Sequence, residues 1–116
     1  MTLKLKEKEQ DICKAISDLF KARRIWFRRI HSIGLVTTKG VPDYEFWWCK
    51  HPCKMEVKSV SGKVEDEQKR YLNEWAEQGG ISLVVRSSYE LEDFLAIIAS
   101  GVTRKLFSNQ HRKDFG

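Results

Sequence analysis

The chain has 116 residues, 41% of them hydrophobic and 32% charged, with a net charge of +5 and three cysteines. That composition is ordinary for a soluble globular protein and suits one domain with a single core that needs no staples. Its apolar runs fall far short of the roughly 20 residues of a spanning helix, the charged N-terminus MTLKLKEKEQ lacks a leader's apolar stretch, and an odd cysteine count fits a reducing, intracellular setting.

In chain order, Ile12, Ile16, Leu19 and Phe20 recur at helical spacing and predict a helix from about Lys4 to Phe20. RRIWFRRIHS follows, rich in β-branched and aromatic residues, and predicts a strand ending near His31. After the loop SIGLVTTKG, VPDYEFWW reads as a second strand with Pro42 at its start, where a missing donor is tolerated. KHP is expected to turn, and CKMEVKS to return as the third strand of a hairpin. VSGK opens a helix whose first turn holds Glu65, Asp66 and Glu67, where the helix dipole favours negative charge, and Gly79-Gly80 close it. ISLVVR is an apolar run expected to lie parallel to the third strand, across that helix. Ser87 and Glu90 predict a capping box for a last helix with Leu91, Phe94, Leu95 and Ile98 on its apolar stripe, ended by Gly101. The order α-β-β-β-α-β-α specifies an α/β domain with a mixed sheet flanked by helices.

Two polar residues fall on apolar stripes. Glu9 lies three residues before Ile12 and seven before Ile16, and Gln68 lies four after Val64 and three before Tyr71. An inward carboxylate or amide is costly unless something satisfies it. Asp43 and Glu56, on adjacent hairpin strands about 5 Å apart, provide a polar centre. Paired carboxylates repel unless a proton or cation separates them, and Mg²⁺ favours one or two carboxylates with waters. Lys58 shares the strand face of Glu56 and is placed to orient or deprotonate an attacking water, or to stabilise charge on a phosphate. Glu45 shares the face of Asp43, which leaves it open to the same centre or to solvent.

The segments GVPD (Gly40 to Asp43), MEVKS (Met55 to Ser59), SGKVEDEQ (Ser61 to Gln68) and VVRS (Val84 to Ser87) together resemble the virus-type replication-repair nuclease (VRR-NUC) family of the PD-(D/E)XK superfamily. The resemblance spans roughly Glu9 to Leu95. It implies a restriction-endonuclease-like core over residues 1–102, and the polar, basic composition from Thr103 predicts a flexible tail over 103–116. It also implies a metal-dependent endodeoxyribonuclease in which Asp43, Glu56 and the Val57 carbonyl ligate Mg²⁺ or Mn²⁺ and Lys58 is the catalytic lysine. Glu9 and Gln68 match the family's helix glutamate and glutamine, and the basic strand position falls on Arg28 or Arg29. Single-domain chains of this type resemble homodimeric Holliday-junction resolvases of phage or bacterial DNA recombination and repair, which implies branched DNA as substrate.

The basic residues Arg23, Arg24, Arg28, Arg29 and Lys39 are candidates for contact with the DNA backbone. Trp47 and Trp48 must face opposite sides of their strand, one towards the core and the other towards a base or, as preferred here because a small nuclease needs a second active site to cut two strands, a dimer interface. Cys49, His51 and Cys53 lie too close together for the usual zinc pattern and lack a fourth ligand, and His31 and His111 are given no role. The rival readings are a DNA-binding module that keeps the fold without chemistry, and a flap-specific or sequence-specific nuclease.

Overall fold

The computed structural model describes residues 8–30 and 40–101. Lys39, both unassigned histidines and the basic tail lie outside them. The elements are α1 (Glu9–Ala22), β1 (Phe27–Arg29), β2 (Tyr44–Trp48), β3 (His51–Val57), α2 (Asp66–Glu77), β4 (Ile81–Val85) and α3 (Ser88–Ala99). This is the expected order. The sheet runs β1-β2-β3-β4, with β1, β2 and β3 antiparallel in turn and β4 parallel to β3. A parallel neighbour requires a crossover, which α2 supplies.

Strand alternation divides the sheet into two faces. Tyr44, Phe46, Cys53, Met55, Val57, Ile81, Leu83 and Val85 pack with Ile12, Ile16 and Phe20 of α1 and Leu91 and Leu95 of α3 into the main core. The opposite face meets α2 through a smaller cluster of Val64, Leu72 and Val84. Ser82, buried on that side, donates to the Leu72 carbonyl at 2.6 Å and so carries no unpaired hydroxyl inward. Among the described residues no helix is long and apolar enough to cross a membrane.

Several boundaries differ from the sequence-based expectation. Lys8 is extended (φ −75°, ψ 152°), so α1 starts at Glu9 and not near Lys4. Among the described residues, 8–11 are all exposed and none before Ile12 anchors an earlier turn. The first strand is only three residues long because the chain must first reverse out of α1. Arg24 takes φ 58°, and the amides of Arg24 and Ile25 donate to the carbonyls of Lys21 and Phe20. That pattern is a Schellman cap with arginine where glycine is usual.

The hairpin turn lies at Cys49 and Lys50, both at positive φ (52° and 69°), and β3 begins at His51, ahead of the expected Cys53. Two left-handed residues give the twist that a two-residue hairpin needs, but neither residue type advertises it. The Ser87 cap forms, its hydroxyl accepting from the Glu90 amide at 3.1 Å. Glu90 in turn reaches the amide of Arg86 at 2.7 Å, one residue further back than a capping box requires.

Candidate active site

On the α2 side of the sheet, strand register arranges side chains in three rows. Trp26, Trp47 and Pro52 form the row at the hairpin end, with the Trp47 amide donating to the Trp26 carbonyl at 3.3 Å and Trp47 paired with Pro52. Arg28, Glu45, Lys54 and Ser82 form the middle row. Glu56 and Val84 form the third. Asp43 immediately precedes the last β2–β3 pair, Tyr44 with Met55, which places it opposite Glu56.

At this third row the ladder gives way to side chains. The amide of Val57 donates to Asp43 Oδ2 at 2.9 Å, so a carboxylate takes the place of a strand carbonyl. Glu56 is only 3% exposed. Its Oε2 accepts from Gln68 Nε2 at 2.8 Å and lies 3.7 Å from Lys58 Nζ. Its Oε1 is buried without a hydrogen-bond partner.

The electrostatics follow from this geometry. Burial raises the Glu56 carboxyl well above the usual carboxylate range, and the charge of Asp43 raises it further. Asp43 is also raised by burial, partly offset by the Val57 N–H. The two carboxyls approach within hydrogen-bonding reach of each other. Since ionised carboxylates only accept, that contact supplies no donor unless a proton or a cation lies between them.

Gln68 points inward as expected, and its amide does two jobs. Nε2 holds Glu56, while Oε1 accepts from the Glu65 amide at 2.8 Å and caps α2. Glu9 departs from expectation, because it is exposed at the first turn of α1 and does not join the buried stripe. Side chains lean towards a helix's N-terminus, so a residue in the opening turn reaches past the helix end. Its carboxyl is raised by partial burial first and then by Asp43, while Lys58 and Arg29 lower it, which places Glu9 at the rim of the site.

The same contacts separate the two candidate arginines. Arg29 lies near Glu9 and Asp43, its guanidinium 5.8 Å from the Tyr44 ring centroid. Arg28 instead pairs with Glu45 at 2.6 Å in the middle row. Glu45 also accepts from Lys54 at 2.7 Å, so both alternatives left open for it give way to a cross-strand ion cluster. Arg23 and Arg24 are exposed in the turn after α1, remote from the carboxylates along the strands. Of the two adjacent tryptophans, Trp48 packs on the core and donates to the Leu95 carbonyl at 2.8 Å, whereas Trp47 is 53% exposed.

Two further residues shape the site. Gly40 has φ 85°, and a Cβ there would collide with the Glu67 carbonyl, so GVPD can pass this closely to the start of α2 only with glycine. Arg86 received no role from the sequence, yet its Nη1 donates at 2.7 Å to both the Ser59 and Gly62 carbonyls. A Cβ on Gly62 would lie 3.5 Å from Lys58 Cδ, so the loop that Arg86 clamps walls the lysine stem. A single cation ending the apolar run ISLVV was the available signal.

Among the described residues no three His, Cys, Asp or Glu side chains converge as a ready metal cage. An ion here would rest on Asp43 and Glu56, with a backbone carbonyl and waters completing its shell, which fits the ligand habits of Mg²⁺. The unpartnered Glu56 Oε1 is the observation that fits such an ion. The Cys49–Cys53 segment is built otherwise, with Cys49 exposed in the turn and Cys53 buried on the core face, its thiol pushed up to about 12 by burial. Comparison with protein-family models gave no match, and comparison with curated proteins gave none either.

Proposed function

We propose that the protein is a Mg²⁺- or Mn²⁺-dependent DNA endonuclease with a restriction-endonuclease-like core. The observation that carries this reading is the buried, unpartnered Glu56 Oε1 opposite Asp43, with Lys58 Nζ 3.7 Å from the other oxygen of the same carboxylate. A merely structural carboxylate at 3% exposure would be expected to have its oxygens satisfied. In the proposal Asp43, Glu56 and the Val57 carbonyl hold the ion. Bound there, it would act as a Lewis acid on the phosphoryl oxygen and lower the pKa of its water.

The chain's own residues do the rest. Gln68 fixes Glu56 by one oxygen and leaves the other to face the ion. Val57 N–H orients Asp43 in the same way. Lys58, its stem walled by the loop that Arg86 clamps, stabilises charge developing on the phosphate and steers the attacking water. Arg29 and Glu9 at the rim contact or orient the incoming backbone.

The resemblance to the VRR-NUC family extends the proposal to a homodimer acting on four-way junctions. The test compares linear, flapped and four-way-junction DNA with Mg²⁺ and with EDTA, using wild type and Lys58→Ala. Paired, symmetric cuts at the junction that need both Mg²⁺ and Lys58 are the expected result. Cutting confined to flaps or to one sequence would remove the resolvase assignment alone, and full activity of Lys58→Ala would remove the mechanism.

A further inference from the structure

The row of the sheet furthest from the carboxylates has no part in the chemistry proposed above. Of the four tryptophans, Trp48 and Trp75 are anchored by their indole N–H groups to the carbonyls of Leu95 and Pro52, at 2.8 and 3.2 Å. Trp26 and Trp47 are not anchored in this way. They are 58% and 53% exposed, Trp26 lying just before β1 and opposite Trp47 of β2, on the α2 side of the sheet, while α2 itself reaches this row at Pro52 of β3 through Trp75. Two large aromatic faces held outward on a rigid ladder form an unpartnered apolar surface of a kind that single scattered residues do not.

Charge decides what would cover it. Arg28 in the next row has its side chain 64% exposed. Arg23 and Arg24 precede Trp26 in the chain, Lys50 sits in the adjoining hairpin turn, and all three are exposed. The one acid in the middle row, Glu45, is shared between Arg28 and Lys54, so that row keeps an excess of positive charge. A symmetric contact with a second copy would bring like-charged arginines together across the axis. A polyanion carrying flat, apolar bases meets both the charge and the rings.

We propose that Trp26 and Trp47 form a stacking platform for the bases of an unpaired DNA strand. Pro52, in the platform row, precedes Glu56 by four residues of one strand, about 13 Å at 3.3 Å per residue. A strand whose phosphate lies at Asp43 and Glu56 can therefore lay nearby unpaired bases on the indoles. This rests on the DNA-nuclease reading and adds to it a preference for junctions, flaps or ends with unpaired nucleotides.

The test is binding in EDTA, where the proposed hydrolysis cannot proceed. Fluorescence anisotropy of a labelled oligothymidylate and of a blunt duplex is measured for wild type, Trp26→Ala, Trp47→Ala and Trp47→Phe, with sedimentation of each protein alone. Each alanine variant is expected to weaken single-strand binding about 5- to 100-fold and duplex binding less than about twofold. Trp47→Phe, which keeps a π face, should retain most of the affinity. Where an alanine variant fails to fold, Trp47→Leu against Trp47→Phe makes the same comparison of bulk with and without a π face. Unchanged single-strand affinity, equal weakening on both DNAs, or a dimer that dissociates in Trp47→Ala without DNA would overturn the platform; the last gives this surface to a second copy. Because no cleavage is read, the two proposals can fail separately. Stacking without cleavage in any divalent metal overturns only the nuclease reading, and cleavage without stacking overturns only the platform.

Discussion

Glu45 and Glu56 are the same residue type, on neighbouring strands and the same side of one sheet, yet their surroundings are opposite. Glu45 receives Arg28 and Lys54 at 2.6 and 2.7 Å. Hydrogen bonding from Lys54, outweighing the cost of burial, holds its carboxyl below the usual range. Glu56 faces another carboxylate, has one oxygen without a donor, and has its carboxyl pushed up by burial. The first arrangement is complete as it stands. The second has a single lysine, Lys58 at 3.7 Å from Oε2, beside two carboxylates and leaves Oε1 unpartnered, and that deficit, more than the presence of an acid, is what distinguishes a candidate site.

The sharpest way to break this comparison is to neutralise each acid in turn and measure Mg²⁺-dependent cleavage. Glu56→Gln is expected to lower the rate at least about 100-fold, while Glu45→Gln should leave it within a few-fold of wild type. Equal losses would mean that the two carboxylates are not distinct in function.

Stability should move in opposite directions. In metal-free buffer at neutral pH, Glu45→Gln strands Lys54, whose side chain is 14% exposed, and should cost about 1–3 kcal/mol by denaturant titration. Glu56→Gln replaces a buried carboxyl that ionises only at a cost beside Asp43, and should raise the melting temperature while abolishing the rise that Mg²⁺ is expected to give wild type. The pH dependence has a definite sign. The Glu56 carboxyl is raised in the folded state from its ordinary 4.5 to about 8, so above the ordinary value the folded protein holds the proton more tightly than the unfolded chain. Metal-free stability should therefore fall as pH rises through the raised value, and Glu56→Gln should flatten the fall. Glu45 is lowered, so its contribution is present above the unfolded value and is lost as pH falls through the folded one.

The smallest expected effect is at Gln68. Gln68→Ala removes the donor to Glu56 Oε2 and the acceptor that caps α2 at Glu65. It should cost about 1 kcal/mol of stability for the cap and about 10- to 100-fold in metal affinity or rate. Gln68→Glu keeps the cap but adds a third negative charge beside Asp43 and Glu56. It should recover the stability, measured by thermal melting, and not the rate.

Much of this was legible along the chain because local rules govern it. Helical spacing gave α1, α2 and α3, the Gly79-Gly80 pair marked the end of α2, and the apolar run ISLVV gave the buried parallel strand. Gln68 was detectable as a polar residue on an apolar stripe. The hairpin's true turn was not, since nothing about Cys49 or Lys50 announces left-handed backbone; the ladder on either side imposes it. The short β1 was hidden for a similar reason, as the arginine cap after α1 consumes residues whose composition favours a strand.

What the sequence determined by itself is the order of the elements and the residue types of the candidate centre, since periodicity and local chemistry are properties of neighbours along the chain. Only the tertiary structure decided which acid is satisfied and which is not. Asp43 meets Glu56 through a register 13 residues apart in sequence, and Glu45 meets Arg28 and Lys54 through two further strand pairings. The same folding separated Arg29 from Arg28, moved Glu9 to the rim and set Trp26 beside Trp47. Burial and charge pairing depend on what packs across the sheet, and residues far apart in the chain acquire those neighbours only when it folds.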